Sequence, residues 1–196
     1  LLAGILVGTV TKDTSMSDVA PLLFIGMAVF AISFVIISRV SIPEPTLGKV
    51  QPKYERSPLA FRHCVLGVIA IFFYVGIEIG IPMELNFYVT DLGFEGAAAV
   101  GGTLAAAYWL LMMIGRACSS AISGKVSTQL QLSTVSAIAI ALLIIAIFMP
   151  ESITISFNGH DVPAKSFISP ACGRCASIMW GGIFNLAVEG LGKYTE

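Results

Sequence analysis

Glu78 stands inside a stretch, residues 64–89, that is mostly apolar and interrupted by Pro82, Glu84 and Asn86. A carboxylate at such a depth has no water to solvate it. Intramembrane acids are therefore rare, face a bundle interior or an aqueous cavity, and carry protons, ions or substrate. Tyr74 lies one turn earlier on the same helical face, and Asn86 lies two turns beyond. Gly76, Gly80 and Pro82 weaken the hydrogen-bond ladder and predict a kinkable helix where backbone lines a cavity. The plainer reading makes Glu78 a structural partner, buried neutral or ion-paired. Glu84, nearer the end of the stretch, is expected to be solvated.

A second set follows in residues 166–188 and just beyond. Arg174, Ser177, Gly181, Asn185 and Glu189 recur at helical spacing, one polar stripe on an otherwise apolar segment. Such a stripe must face protein or water rather than lipid. Arg174 and Glu78 both fall toward the same membrane face. The expectation is that they pair across two helices, the alternative being an Arg174 that snorkels to the interface. Trp180, beside Gly181 and Gly182, offers a ring for stacking on a sugar face, or else an aromatic packed in the core. Trp109 reads as packing, and Gly101, Gly102, Ala105 and Ala106 as a small-residue face for close helix contact.

Cys172-Gly-Arg-Cys175 has dithiol spacing, but no strand–helix redox context surrounds it. Close helix contact is the simpler use of its small thiols. The chain carries no G-x-S-x-G, no H-E-x-x-H and no P-loop lysine motif, so it reads as no enzyme. His63 and His160 lie on opposite sides of the membrane by the spans below. No metal site and no cofactor are expected.

The elements that position these residues are membrane helices. Hydrophobic residues make up 56% of the chain and charged ones 12%, about half the ~25% usual in soluble domains. No basic patch with interleaved aromatics exists, which sets nucleic acid aside. Apolar segments at 20–39, 64–89, 97–115, 130–149 and 166–188 are long enough to span a bilayer. Residues 1–10 cover only about 15 Å and lack a charged leader region, so they read as the tail of a further helix and the chain as a fragment. Arg39, Lys49, Lys53, Arg56, Arg62, Arg116, Lys125 and Lys193 fall on one side, against Lys12 and Lys165 on the other. The positive-inside rule makes the first side cytoplasmic. Residues 41–62 hold Pro43, Pro45, Pro52 and Pro58 and read as a linker joining two helical halves, 1–40 and 63–196. The alternation of Ile153, Ile155 and Phe157 with Thr154 and Ser156, followed by Asn158-Gly159, predicts a short β-hairpin.

Three stretches carry a family resemblance. They are Phe73-Tyr74-Val75-Gly76-Ile77-Glu78, then Ile114-Gly115-Arg116, then 177–187 with Glu189-Gly190-Leu191-Gly192-Lys193-Tyr194-Thr195. Together they resemble the seventh, eighth and tenth helices of the fucose/glucose/galactose:proton symporter branch of the major facilitator superfamily. Where that branch more often has Phe-Pro-Thr, this chain has Trp180-Gly181-Gly182, and Arg174 replaces an apolar position. The resemblance implies an all-α fragment of a twelve-helix bundle, from the end of helix five through helix ten, acting as a monomer in a bacterial inner membrane. It implies proton-coupled uptake of a hexose by alternating access, without ATP or metal. Glu78, Asn86, Trp180, Asn185 and Tyr74 would contact sugar, and Arg174, Glu78 and Arg116 would pair or gate. A major-facilitator exporter of another solute, or a membrane dithiol oxidoreductase using Cys172 and Cys175, are the alternatives. The acids usually credited with proton coupling in that branch lie in a half this chain does not contain, so Glu78 is not assigned that role.

Overall fold

A computed structural model describes residues 15–41, 57–122 and 124–192. The tail of a helix at 1–10, most of the 41–62 linker, several of the basic loop residues and the Lys193-Tyr194-Thr195 exit all lie outside them. Two units divide the chain, 1–53 and 54–196. In the first, α1 (Met16–Arg39) starts at Ser15, whose backbone N–H donates to the Asp18 carboxylate at 3.0 Å, one half of a capping box. None of its residues is buried within its own unit, and its large apolar side chains point outward all round.

The second unit holds α2 (Arg62–Asp91), α3 (Ala97–Ile122), α4 (Thr128–Phe148), β1 (Thr154–Phe157), β2 (His160–Pro163) and α5 (Lys165–Val188). Helices α1 to α4 are each long and apolar enough to cross a bilayer. α5 is as long as α1 but less apolar, diluted by Arg174, Asn185 and its serines. The chain is thus a mostly helical membrane protein. α2 runs unbroken through Gly76, Gly80 and Pro82.

Close contacts fix how the helices run. Gly67 meets Ala187 and Tyr74 meets Ala176, so α2 and α5 are antiparallel. Tyr108 backs onto Gly173 and Gly115 onto Ser177, so α3 and α5 are parallel. Asn185 reaches Thr128, so α4 opposes α5. The least apolar helix is therefore the central one, packed against α2, α3 and α4. A helix surrounded by protein needs less hydrocarbon compatibility than one facing lipid. Its partners come close because glycines meet it: a Cβ on Gly115 would stand 2.8 Å from the Ser177 Cβ and 3.0 Å from the Arg174 carbonyl oxygen. Of the small-residue face on α3, Gly101 packs on Asn86, whereas Gly102 has nothing near it.

The hairpin forms as its alternation predicts, with Ile155 opposite Val162 and Phe157 opposite His160. Asn158 and Gly159 turn it at φ 51° and 83°, the positive values that a two-residue turn of the right twist requires. Val162 is fully buried against Leu85, Val89, Val100 and Leu104, so the hairpin plugs one end of the unit. His160 stacks on Phe94 at 4.7 Å there. His63 stands at the opposite end of α2, and the two histidines share no site.

Candidate functional site

The charge pairing differs from the one expected. The Arg116 guanidinium donates to the Glu78 carboxylate at 3.4 Å, linking α3 to α2. Arg174 is exposed and has no ion pair among the described residues. Side-chain direction supplies the reason. Helical side chains lean toward their own N-terminus. Glu78 on α2 leans toward the Arg62 end of the unit, and Arg116, set nearer that end, leans back from α3 to meet it. Arg174 on α5 leans the other way, toward the hairpin. The sequence reading also ended the third span at residue 115. The helix continues to Ile122, which puts Arg116 within a helix wall instead of in a loop.

Glu78 and Arg116 open onto a groove of about 510 Å³ with Ser177, Trp180 and Gly181. Glu78 keeps 16% of its side-chain exposure and Arg116 58%, so the acid is the sheltered partner. Trp180 presents its ring to the groove and lies parallel to Phe184, centroids 5.7 Å apart. Adjoining this groove, and sharing Arg116, Ser177 and Gly181 with it, is a chamber of about 290 Å³, lined also by Ser119, Thr128, Gln131, Ile178, Gly182 and Asn185. Here Asn185 Nδ2 donates to Thr128 Oγ1 at 3.0 Å.

Two expected sugar contacts fall elsewhere. Tyr74 is only 2% exposed, and its hydroxyl donates to the Ala176 carbonyl at 3.2 Å. It is a packing residue behind the groove wall. Asn86 packs on Gly101 at the α2–α3 contact, toward the hairpin, and lines neither cavity. Cys172 and Cys175 are buried, with Cys172 in the core beside Tyr74, Tyr108 and Met112. Two free thiols walled off in this way have the surroundings of packing residues. No metal-ligand cluster occurs among the described residues.

Sequence reading missed Ser119, Thr128 and Gln131. Each is a neutral polar residue near a helix end, where it costs nothing and so raises no flag. Their one signal was the spacing of Thr128 and Gln131, which puts both on one face of α4.

At the hairpin end, Lys165 donates to Glu151 at 2.6 Å and sits 4.6 Å over the Tyr88 ring. The hydrogen bond from Lys165 holds the Glu151 carboxyl below the usual carboxylate range.

Two proteins of Brucella abortus, from biovar 1 strain 9-941 and from strain 2308, are each 33% identical to this chain over 178 residues. Both are named glucose/galactose transporter. A Helicobacter pylori protein (strain J99 / ATCC 700824) named for the same two sugars is 30% identical over 179 residues. These matches take in 88–89% of this chain, which spans about 40% of the length of the relatives. No protein-family model matches the chain. No solved structure matches it. The resemblance read from the residues stands: the chain is similar to sugar transporters over nearly its whole length.

Proposed function

We propose that this chain is part of a major-facilitator hexose:proton symporter, taking up glucose, galactose or a deoxyhexose by alternating access. One observation carries the reading: similarity over nearly nine-tenths of the chain to proteins named for glucose and galactose transport. On this reading 1–40 ends the first helical half, 41–62 links the halves, and 63–196 supplies helices seven to ten, with α5 a fifth span. The setting would be a bacterial inner membrane and the working unit a monomer.

The chemistry of the groove supports it. Trp180 offers an apolar ring face for the C–H side of a pyranose, and Gly181 leaves room beside it. Glu78 accepts from sugar hydroxyls, and the exposed N–H groups of Arg116 donate to them, while Asn185 lines the neighbouring chamber. Glu78 is already engaged by Arg116, which suits it to holding substrate or balancing charge more than to carrying the coupled proton. Alternating access asks this pair to break and reform, and its single 3.4 Å contact is weak enough to do so.

The test is uptake of radiolabelled D-glucose and D-galactose by proteoliposomes holding the whole transporter that contains this chain, under an inward proton gradient, wild type against Trp180→Ala and Glu78→Gln. The expected result is gradient-dependent uptake of a hexose that falls at least tenfold in Trp180→Ala. Absence of any saturable hexose exchange in the wild type would sink the proposal.

A further inference from the structure

We infer that the chamber below the main groove is a second, weaker sugar subsite, a way-station for the hexose between the groove and the Thr128 end of the bundle. The inference rests on the sugar reading above. Its observation is independent: a cavity to which three different helices bring neutral hydrogen-bonding side chains, beside Arg116, Ile178 and two glycines. Ser119 comes from α3, Thr128 and Gln131 from α4, and Ser177 and Asn185 from α5. Its volume, about 290 Å³, is close to the ~300 Å³ at which ligand pockets begin.

The hydrogen-bond arrangement says what class of ligand fits. Asn185 spends an amide N–H on Thr128 Oγ1 at 3.0 Å, which leaves its carbonyl oxygen free to accept and the Thr128 hydroxyl free to donate. An acceptor and a donor thus stand side by side, the pattern that vicinal hydroxyls of a sugar satisfy. Beside them, Ser119 donates to Gln131 Oε1 at 3.4 Å, and Gln131 Nε2 donates to the Val126 carbonyl at 2.9 Å. This chain of bonds holds the Gln131 amide in place before any ligand arrives. Arg116 is the one charge in the lining, and it is shared with Glu78. The chamber has no aromatic ring. It therefore suits a neutral polyhydroxyl compound held by hydrogen bonds alone, more weakly than a groove with a stacking platform. The two cavities share Arg116, Ser177 and Gly181, so they adjoin, and the residues between them are an arginine, a serine and a glycine rather than bulky apolar side chains.

The discriminating variant is Thr128→Val with Ser119→Ala. Valine keeps the γ-methyl that lies 3.7 Å from a Cβ position at Gly182, and removes only the hydroxyl. Ser127, the N-cap of α4, is untouched. Binding of radiolabelled D-glucose to the protein in nanodiscs would be measured by equilibrium dialysis. Fluorescence quenching in a background where Trp180 is the one tryptophan, with Trp109 and any tryptophan outside this chain changed to Phe, would report the main groove. The expected outcome is two saturable sites in the wild type. The double variant loses the weaker one, its Trp180 quench stays within twofold of wild type, and Thr128→Ser retains both. A single site in the wild type with a normal quench overturns the subsite and leaves the sugar reading standing, as does a double variant that keeps two sites. No binding and no quench in the wild type overturns both.

Discussion

Breaking the Glu78–Arg116 contact tests the geometry of the groove directly. Two unit charges at 3.4 Å attract by about 1.2 kcal/mol in a water-like medium and by roughly 5 kcal/mol at an effective dielectric of ~20. Arg116 is more than half exposed and meets a single carboxylate oxygen, so the lower figure is nearer the truth. A coupling of about 1–2 kcal/mol is expected from a double-mutant cycle of Glu78→Gln and Arg116→Met, read by SDS-induced unfolding in mixed micelles. The single mutants are expected to differ. Arg116→Met strands a carboxylate with 16% exposure, whereas Glu78→Gln strands a guanidinium that reaches solvent. Arg116→Met therefore costs more, by about 1 kcal/mol or above. A control cycle with Arg174→Met in place of Arg116→Met is expected to couple to Glu78 by less than ~0.3 kcal/mol, within ordinary additivity error. Coupling that small for Arg116, or a larger one for Arg174, refutes the argument from side-chain direction.

Gly115→Ala places a methyl against Ser177 and the Arg174 carbonyl, and is expected to destabilise the unit by about 1–3 kcal/mol, whereas Gly102→Ala, with open space around it, is expected to be near neutral. The same SDS titration measures both. Glu151 titrates below the ordinary carboxylate range, so its bond to Lys165 is present above that range and is lost as pH falls through the lowered value. Carboxyl NMR of Glu151 is expected to return to the ordinary range in Lys165→Met, and an unchanged midpoint would remove the ion pair as the cause.

Most of the helices were legible because each follows from length and apolarity, which a linear sequence displays. The hairpin was legible for a different reason, since Asn158-Gly159 fixes a turn by local stereochemistry. Partners were not. Glu78 looked across to Arg174 because both were costly and at similar depth, yet depth says nothing about which way a side chain leans or which helix face it leaves. The end of α3 was misplaced for a related reason: Arg116 reads as a stop signal, and its usefulness lies in being inside the helix. Tyr74 kept the periodicity of a groove residue but turned its hydroxyl onto a neighbouring backbone, a choice made by packing across a sequence separation of 102 residues. Ser119, Thr128 and Gln131 meet Asn185 only once α3, α4 and α5 are side by side.

The central place of α5 also bears on how the protein is made. Its composition is the poorest of the helices for partitioning into lipid alone. Its flanking helices, by contrast, are long and apolar enough to cross a bilayer. In order of synthesis α2 and α3 emerge first and pack on each other, the hairpin seats Val162 among their ends, and α4 finds its helix partner only when α5 arrives. α5 then exchanges the insertion channel for protein on the faces that meet α2, α3 and α4, while the face with Arg174 and Trp180 stays open. The last of these helices to be made is thus the one that draws the others together.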